Sequence, residues 1–252
     1  MTPHAAMKSA RQRLLIVLTI CGVCTAVVFS LWQRGFVPLQ QLDHFAQDWQ
    51  AKLGRRTPVD DRLVLVGIDK PVYGADFSEE ECREEPVLRE MQHEFPWSRA
   101  VWARVIEKLA EAGAKVIAID VVFAADGDGD DVLHAALEKY RDRVVMGYNI
   151  SVGETDRGEF SELLLPNATL LPADGSASPV LDDRLGYVNI WPDFDDTLRR
   201  VPFRRTREQA DFTVPPGVVL ESLAARVLRK FGRAEAIPDG TGARLFRYTA
   251  PP

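Results

Sequence analysis

"SRAVWARVIEKLAEAGAKVIAIDVVF", residues 98–123, decides the fold. Its first half places Val101, Trp102, Val105, Ile106 and Leu109 on one face of a 3.6-residue period, the pattern of a helix that buries a single stripe. Ser98 stands where a hydroxyl can accept from the first free backbone amides, and Gly113 stands where such a helix stops. The second half, Lys115 to Phe123, is apolar at odd and even positions alike. A strand reads this way when helices cover both of its faces.

Working outward, "DVLHAALEKYRD" (131–142) predicts a second helix and "RVVMGYNI" (143–150) another strand, while "RLVLVGID" (62–69) predicts a strand upstream. Strand, helix, strand, helix, strand in succession predicts parallel pairing through right-handed crossovers. Between the first strand and the first helix, residues 71–94 carry eight acids against two arginines and read as a solvated loop. Beyond residue 150 the pattern loosens. "LGYVNIW" (185–191) and "RRVPFRR" (199–205) flank the turn "PDFDDT" (192–197) and predict a hairpin. "PPGVVLESLAARVLRKFG" (215–232) predicts a helix stopped by Gly232, and "ARLFRYTA" (243–250) a last strand. The expected class is α/β: a mixed, largely parallel sheet flanked by helices, with an added antiparallel hairpin.

The N-terminal region has a different character. Leu14 to Trp32 contains no charged residue, and at the helical rise its nineteen residues extend about 28 Å, enough to cross a hydrocarbon core. The apolar region of a cleaved secretory signal runs about 7–15 residues and ends at an A-x-A-like site, which "FSLWQRG" does not supply. The expectation is an uncleaved transmembrane helix over 14–32, with residues 1–13 cytoplasmic because Lys8, Arg11 and Arg13 precede the span unopposed by acids. Trp32 would anchor the outer end. After Gly35 and Pro38, a helix resumes with Leu39, Leu42, Ala46, Trp49 and Leu53 at heptad spacing. A sustained coiled coil needs about three or four heptads. The segment therefore reads as a helix packed on its own domain, with a signalling or dimer helix as the other reading.

Charge and cysteine content narrow the function classes. Removing the three basic residues before the span from the total of 31 leaves 28 against 37 acids, so no basic surface for nucleic acid is expected. Cys21 and Cys24 lie inside the span, which leaves Cys82 alone outside it, and no intrachain disulfide framework is expected there. No G-x-G-x-x-G follows a strand, and there is neither a P-loop nor a G-x-S-x-G; the four histidines (4, 44, 93 and 134) form no ligand pair. No catalytic residue, cofactor or metal is assigned. "NAT" at Asn167 fits the glycosylation sequon, a pattern that arises often by chance.

Two features invite chemistry. Asp69 and Asp120 sit at or near the C-terminal ends of predicted parallel strands, where open α/β sheets place their ligand crevice. There they would coordinate a cation, run acid/base hydrolysis, or bond backbone amides at the strand ends. The acidic run from Asp126 fails as an EF-hand, because Asp131 and Leu137 occupy the positions that need Gly and Glu. It reads instead as the start of the next helix, with Asp130 or Asp131 as N-cap.

"FPWSRAVWARVIEKLAEAGAKVIAIDVVF", preceded by "LVLVGID" and followed by "LGYVNIWPDFDDTLRRVPF" and "VLESLAARVLRKFG", resembles the type-2 CHASE sensor family, the extracytoplasmic sensory domain of bacterial cyclases, histidine kinases and serine/threonine kinases. The likeness covers roughly residues 39–250. It implies a receptor in the bacterial inner membrane: cytoplasmic N-terminus, one span, a periplasmic or extracellular sensor over 39–252, then further spans and a cytoplasmic cyclase or kinase output. The chain is then expected to be a piece of a longer polypeptide. Implied partners are an unidentified small-molecule or environmental stimulus, the membrane, the output domain and a second copy in a homodimer, with no nucleic acid. Candidate ligand-binding residues are Asp69, Trp97, Arg99, Asp120 and Asn189. Trp97 also reads as a core or lid residue. Arg99, in the first turn of its helix, expects a carboxylate partner, Asp69 or Asp120. Arg199 and Arg200 read as an anion site or as solvated residues. The alternative function is a membrane-anchored hydrolase or cation-binding domain using Asp69 and Asp120.

Overall fold

The structure is a computed structural model that describes residues 3–53, 58, 60–68, 75–155, 158–171, 179–210 and 214–245. It divides into two units, residues 1–61 with 247–252, and residues 62–246.

In the first unit, α1 (Pro3–Gln33) contains Gln12–Gln33, 22 residues long and apolar enough to cross a membrane. Gly35, with φ of 71°, breaks the helix, and α2 (Val37–Leu53) resumes after it. The break falls where the sequence places it. Leu42, Phe45, Trp49 and Leu53 of α2 are exposed, whereas His44 is buried.

The second unit begins with a departure. Residues 63–68 have no regular structure, and Leu63, Val64, Leu65 and Val66 are 66–93% exposed. Strand propensity alone makes no strand, since the ladder needs a partner, and among the described residues none is hydrogen-bonded to these in a ladder.

The expected loop over 71–94 holds two short helices, α3 (Glu79–Glu84) and α4 (Val87–Met91). Two of its acids, Glu81 and Glu85, are structural. Ser78 and Glu81 form a capping box, in which each side chain accepts from the other residue's backbone amide at 3.2 and 2.8 Å. Glu85 takes a bidentate pair from Arg104 at 2.7 and 2.9 Å and is joined by Lys108 at 3.0 Å. Charge density suggested solvent, and Glu79, Glu80, Glu81 and Glu84 are exposed, but Glu85 has partners on the next helix.

That helix is α5 (Arg99–Glu111), capped by Ser98, whose hydroxyl accepts from the Ala100 amide. It leads into β1 (Ile117–Ile119), then α6 (Asp130–Lys139) and β2 (Val144–Thr155). β1 pairs with β2 in parallel, as expected. β2 runs past residue 150 and turns back into β3 (Gly158–Leu164), paired antiparallel from Asn149 to Thr155. β4 (Leu185–Tyr187) lies parallel to β2 over Met146–Tyr148. The sheet is mixed, and its longest ladder is antiparallel.

The expected hairpin of 185–191 with 199–205 does not form. Its second half divides into β5 (Arg200–Val201) and β6 (Arg204–Thr206), followed by the short α7 (Arg207–Ala210). β6 pairs with β7 (Val219–Glu221), α8 (Leu223–Phe231) follows, and β5 pairs with β8 (Arg244–Leu245). The turn itself is present: the Asp193 amide donates to Thr197 O at 3.0 Å. Pro202, which has no amide for a ladder, separates β5 from β6. The helix expected from Pro215 starts only at Ser222, whose hydroxyl accepts from the Ala225 amide, while the β-branched Val219 upstream belongs to a strand.

One face of the sheet buries Ile117, Ile119, Val144, Met146, Tyr148, Leu185 and Tyr187 against Trp102, Ile106, Leu133 and Leu137 of α5 and α6. The alternate residues face α8. There Gly186 admits the backbone of Leu223, because a Cβ would meet its N and Cα at 2.6 Å.

Candidate functional site

Asp120 directly follows β1 and is exposed. Its Oδ1 lies 3.6 Å from where a Cβ on Gly147 would stand, so it sits against β2. Among the described residues, Asp120 has no hydrogen-bond or ion-pair partner. Asp69 lies outside the described residues.

The other candidates are engaged within the fold. Trp97 is buried; its indole N–H donates to His93 O at 3.2 Å, and its ring meets Phe95 edge-on at 5.6 Å. Asn189 extends the β4 pairing, since its Oδ1 accepts from the Ile150 amide at 2.6 Å and its Nδ2 donates to Ile150 O at 2.9 Å. Arg99 finds a carboxylate, as its position in the first turn requires, but the partner is Asp130 at 3.2 Å and not Asp120. Its Nη2 also donates to Ala125 O at 3.0 Å, and its guanidinium lies 4.6 Å from the Phe123 ring centroid.

These contacts settle what the acidic run does. Asp130 accepts from Arg99, from the Gly127 amide at 3.2 Å and from the Thr169 hydroxyl at 2.8 Å. Asp126 accepts from the Asn167 carboxamide, whose oxygen in turn accepts from the Thr169 amide at 3.1 Å. The N-cap of α6 is Gly129, at φ of 79°, and neither Asp130 nor Asp131 caps. A carboxylate paired to a guanidinium gains more than one accepting from its own helix amides, so Asp130 is drawn into the first turn toward α5. Among the described residues no three His, Cys, Asp or Glu side chains stand together to hold a metal ion.

The parallel strands β2 and β4 carry an aromatic sector that periodicity alone did not single out. Tyr148 and Tyr187 meet edge-on at 6.4 Å, and Trp191 lies 5.9 Å from Tyr187. The Tyr187 hydroxyl donates to Pro202 O at 2.8 Å, whereas the Tyr148 hydroxyl is buried without a partner. Burial raises the pKa of both phenols. The Arg205 guanidinium lies 3.5 Å from the Trp191 ring centroid, and burial lowers its pKa. The signal was present in "LGYVNIW", where Leu185 and Tyr187 alternate onto the core face.

Two ion clusters flank this sector. Buried Glu221 receives Arg229 at 2.6 Å, Arg204 at 3.2 Å and Arg226 at 3.4 Å. Burial raises its pKa, but hydrogen bonding from Arg229 and the charge of Arg226 outweigh that and hold it below the usual range. Arg199 is neither solvated nor open to an anion: it is buried and clamps Asp195 at 2.8 and 2.9 Å and Asp193 at 3.2 Å. Arg200 reaches Asp193 at 3.5 Å. Their charge is thus answered within the turn they follow.

The family model described as the CHASE2 domain matches residues 23–250. No curated protein and no solved structure matches the chain.

Proposed function

The chain belongs to the CHASE2 domain family, an extracytoplasmic sensory domain, and on that premise we propose that it senses a stimulus outside the cytoplasm and passes a conformational change through the membrane to a cyclase or kinase output domain. The observation that carries this reading is the family match across nearly the whole chain. α1 supports it with a helix of suitable length and composition for an anchor. Its basic lead-in supports a cytoplasmic N-terminus, with the second unit in the periplasm or outside the cell. A stimulus acts here only through unequal affinity for two states, so no bond need be broken.

The stimulus binds at the carboxyl ends of β1 and β4, the position where parallel strands leave a crevice. Asp120 is the candidate with a carboxylate to offer, and the unpartnered Tyr148 hydroxyl is a second polar group on the adjoining strand. Trp97, Arg99 and Asn189 shape the surroundings through the contacts described, and Asp69 completes the set from the sequence. A second copy of the chain is the expected partner in the membrane.

Two measurements test the reading. Alkaline phosphatase fused after residue 60 is expected to be active, and a fluorescent cytoplasmic reporter at the same point dark; the reverse overturns the orientation and the sensor reading with it. The purified chain in detergent is expected to leave p-nitrophenyl phosphate and p-nitrophenyl acetate intact, with or without divalent metal. Metal-dependent turnover that disappears in Asp120→Asn would establish a hydrolase instead.

A further inference from the structure

β1 is a three-residue strand paired on one edge only, to β2, among the described residues. The Ile117 amide donates to Arg143 O at 2.8 Å, so Ile117 and Ile119 turn their backbone groups toward β2, and those of Ala118 point to the other edge. Ala118 is exposed although its neighbours on either side are buried. A parallel strand ordinarily has both faces covered, and an open edge ordinarily carries a charge, a proline or a bulge. "IAI" has none of these.

The same unit contains an extended apolar stretch without a partner. Leu63, Val64, Leu65 and Val66 are 81, 76, 93 and 66% exposed. One end of the stretch is held near the start of β1 and the other on the core. Arg62 lies over the Phe231 ring at 5.8 Å, and Lys115, two residues before β1, lies over the same ring at 4.5 Å. Ile68 packs against the core cluster that contains Ile117 and Ile119. A strand joined to β1 through the intervening helix α5 pairs with it in parallel, in the same direction as the chain from 115 to 120. Six extended steps cover about 20 Å, and the five from Lys115 to Asp120 about 16 Å, so the stretch is long enough to lie along the whole edge.

The geometry points to residues 63–67 as a detachable strand that closes in parallel onto the open edge of β1. Closed, it extends the sheet to Leu63–Gly67. With Ile68 fixed on the core face, the two-residue period carries Val64 and Val66 to that face and sets Leu63 and Leu65 toward Ala118 and α8. Open, it exposes four large apolar side chains, the arrangement the structure shows. Order and disorder of a segment pinned at both ends is a two-state element that a stimulus can bias. The inference does not require the sensor function, because edge and strand belong to one unit whatever the stimulus. Its occupant is this chain's own segment, since the two anchored ends hold it at high local concentration beside the edge.

Amide hydrogen exchange on the full chain in detergent tests it, read at residue resolution. The Ala118 amide is expected to exchange at least tenfold more slowly than its intrinsic rate, and to lose that protection in Leu65→Pro/Val66→Pro, whichever of the two residues faces the edge. The Met146 amide, which donates to Arg184 O within the sheet, is expected to stay protected in both. Ala118 exchanging equally fast in both proteins overturns the proposal. So does protection that fades on dilution, which would assign the edge to a second copy. Should the proline variant lose Met146 protection as well, Val64→Asp/Val66→Asp carries the same test, because it keeps the amides and penalises closure alone.

Discussion

Arg99 and Asp130, 31 residues apart in sequence, meet at 3.2 Å with each side chain 12% exposed. This contact ties the first turn of α5 to the first turn of α6, and the Arg99 amide reinforces it by donating to Asp128 O at 2.7 Å. The acidic run is thus a joint between two helices.

The joint gives distinct outcomes for adjacent aspartates. Asp130→Ala strips Arg99, Thr169 and the Gly127 amide of a common acceptor and is expected to cost about 2–4 kcal/mol, since removal of one member of a mostly buried pair leaves the other uncompensated. Asp131 is exposed, and Asp131→Ala is expected to stay within about 0.5 kcal/mol. Urea unfolding of the two variants in detergent measures the difference. Millimolar calcium is expected to leave both midpoints unmoved; a calcium-dependent rise lost in Asp128→Ala would restore a metal site.

Acid stability provides a second check. Arg104 first and Lys108 second hold the Glu85 carboxyl down at about 2, against about 4.3 for a free glutamate. A carboxylate lowered in this way contributes stability that is fully present above the unfolded value and is lost as pH falls through the folded one. The loss attributable to Glu85 therefore lies between about pH 4.3 and 2. Unfolding followed across that window is expected to flatten in Glu85→Gln relative to the parent. An unchanged slope would mean that the pair is screened in solution.

A third prediction concerns Arg184, whose side chain is fully buried between Asp182 at 2.8 Å and Glu138 at 2.7 Å. Arg184→Met leaves the Asp182 carboxylate, only 4% exposed, without its guanidinium and is expected to cost about 3–5 kcal/mol. Asp182→Leu added to it is expected to recover part of the loss, because a buried pair is replaced more cheaply than it is broken. Thermal midpoints of parent, single and double variants read the effect. A double variant less stable than the single one would show that Asp182 has a second structural task.

The accuracy of the sequence-based expectations varies along the chain for physical reasons. Residues 98–123 were legible because cap, stripe and strand agree, and α5 and β1 form there. The expected hairpin failed because "RRVPFRR" alternates well but contains Pro202, so its two halves pair with distant partners, and pairing over long sequence separation leaves no local mark. Composition reads the acids of 79–85 as solvated, which holds for Glu79, Glu80, Glu81 and Glu84 and fails for Glu85, whose partners on α5 leave no local mark; the short helix itself has a local signal in Ser78 followed three residues later by Glu81. Arg99's need for a carboxylate was legible from its place in the first turn; the choice of Asp130 over Asp120 was not, because it depends on how two helices cross. Asp120 was legible as the end of a strand, and its lack of a partner is a tertiary fact. Tyr148 and Trp191 were missed because aromatic residues in apolar strands look alike whether they only fill a core or also hold a buried hydroxyl.

At Gly186 the backbones of β4 and α8 approach closely. Gly186 lies at the centre of β4, and a Cβ there would meet Leu223 N and Cα at 2.6 Å and the Ser222 carbonyl carbon at 2.8 Å. All three atoms are backbone at the start of α8, so no side-chain rotation relieves the clash; the helix must move away from the sheet or the strand must shift. The shift is opposed by Met146, Gly147 and Tyr148, with which β4 is in register, and the helix movement by Arg226, whose Nε donates to Leu185 O at 3.0 Å. Gly186→Ala is therefore expected to destabilise by about 1–3 kcal/mol, the range for overpacking a filled interior. Gly242→Ala is the control: nothing lies within 4 Å of its Cβ position, and a stiffer unfolded chain makes it neutral or slightly stabilising. Denaturant midpoints of the two variants decide the matter. Equal midpoints would mean that α8 sits farther from β4 in solution than the structure places it.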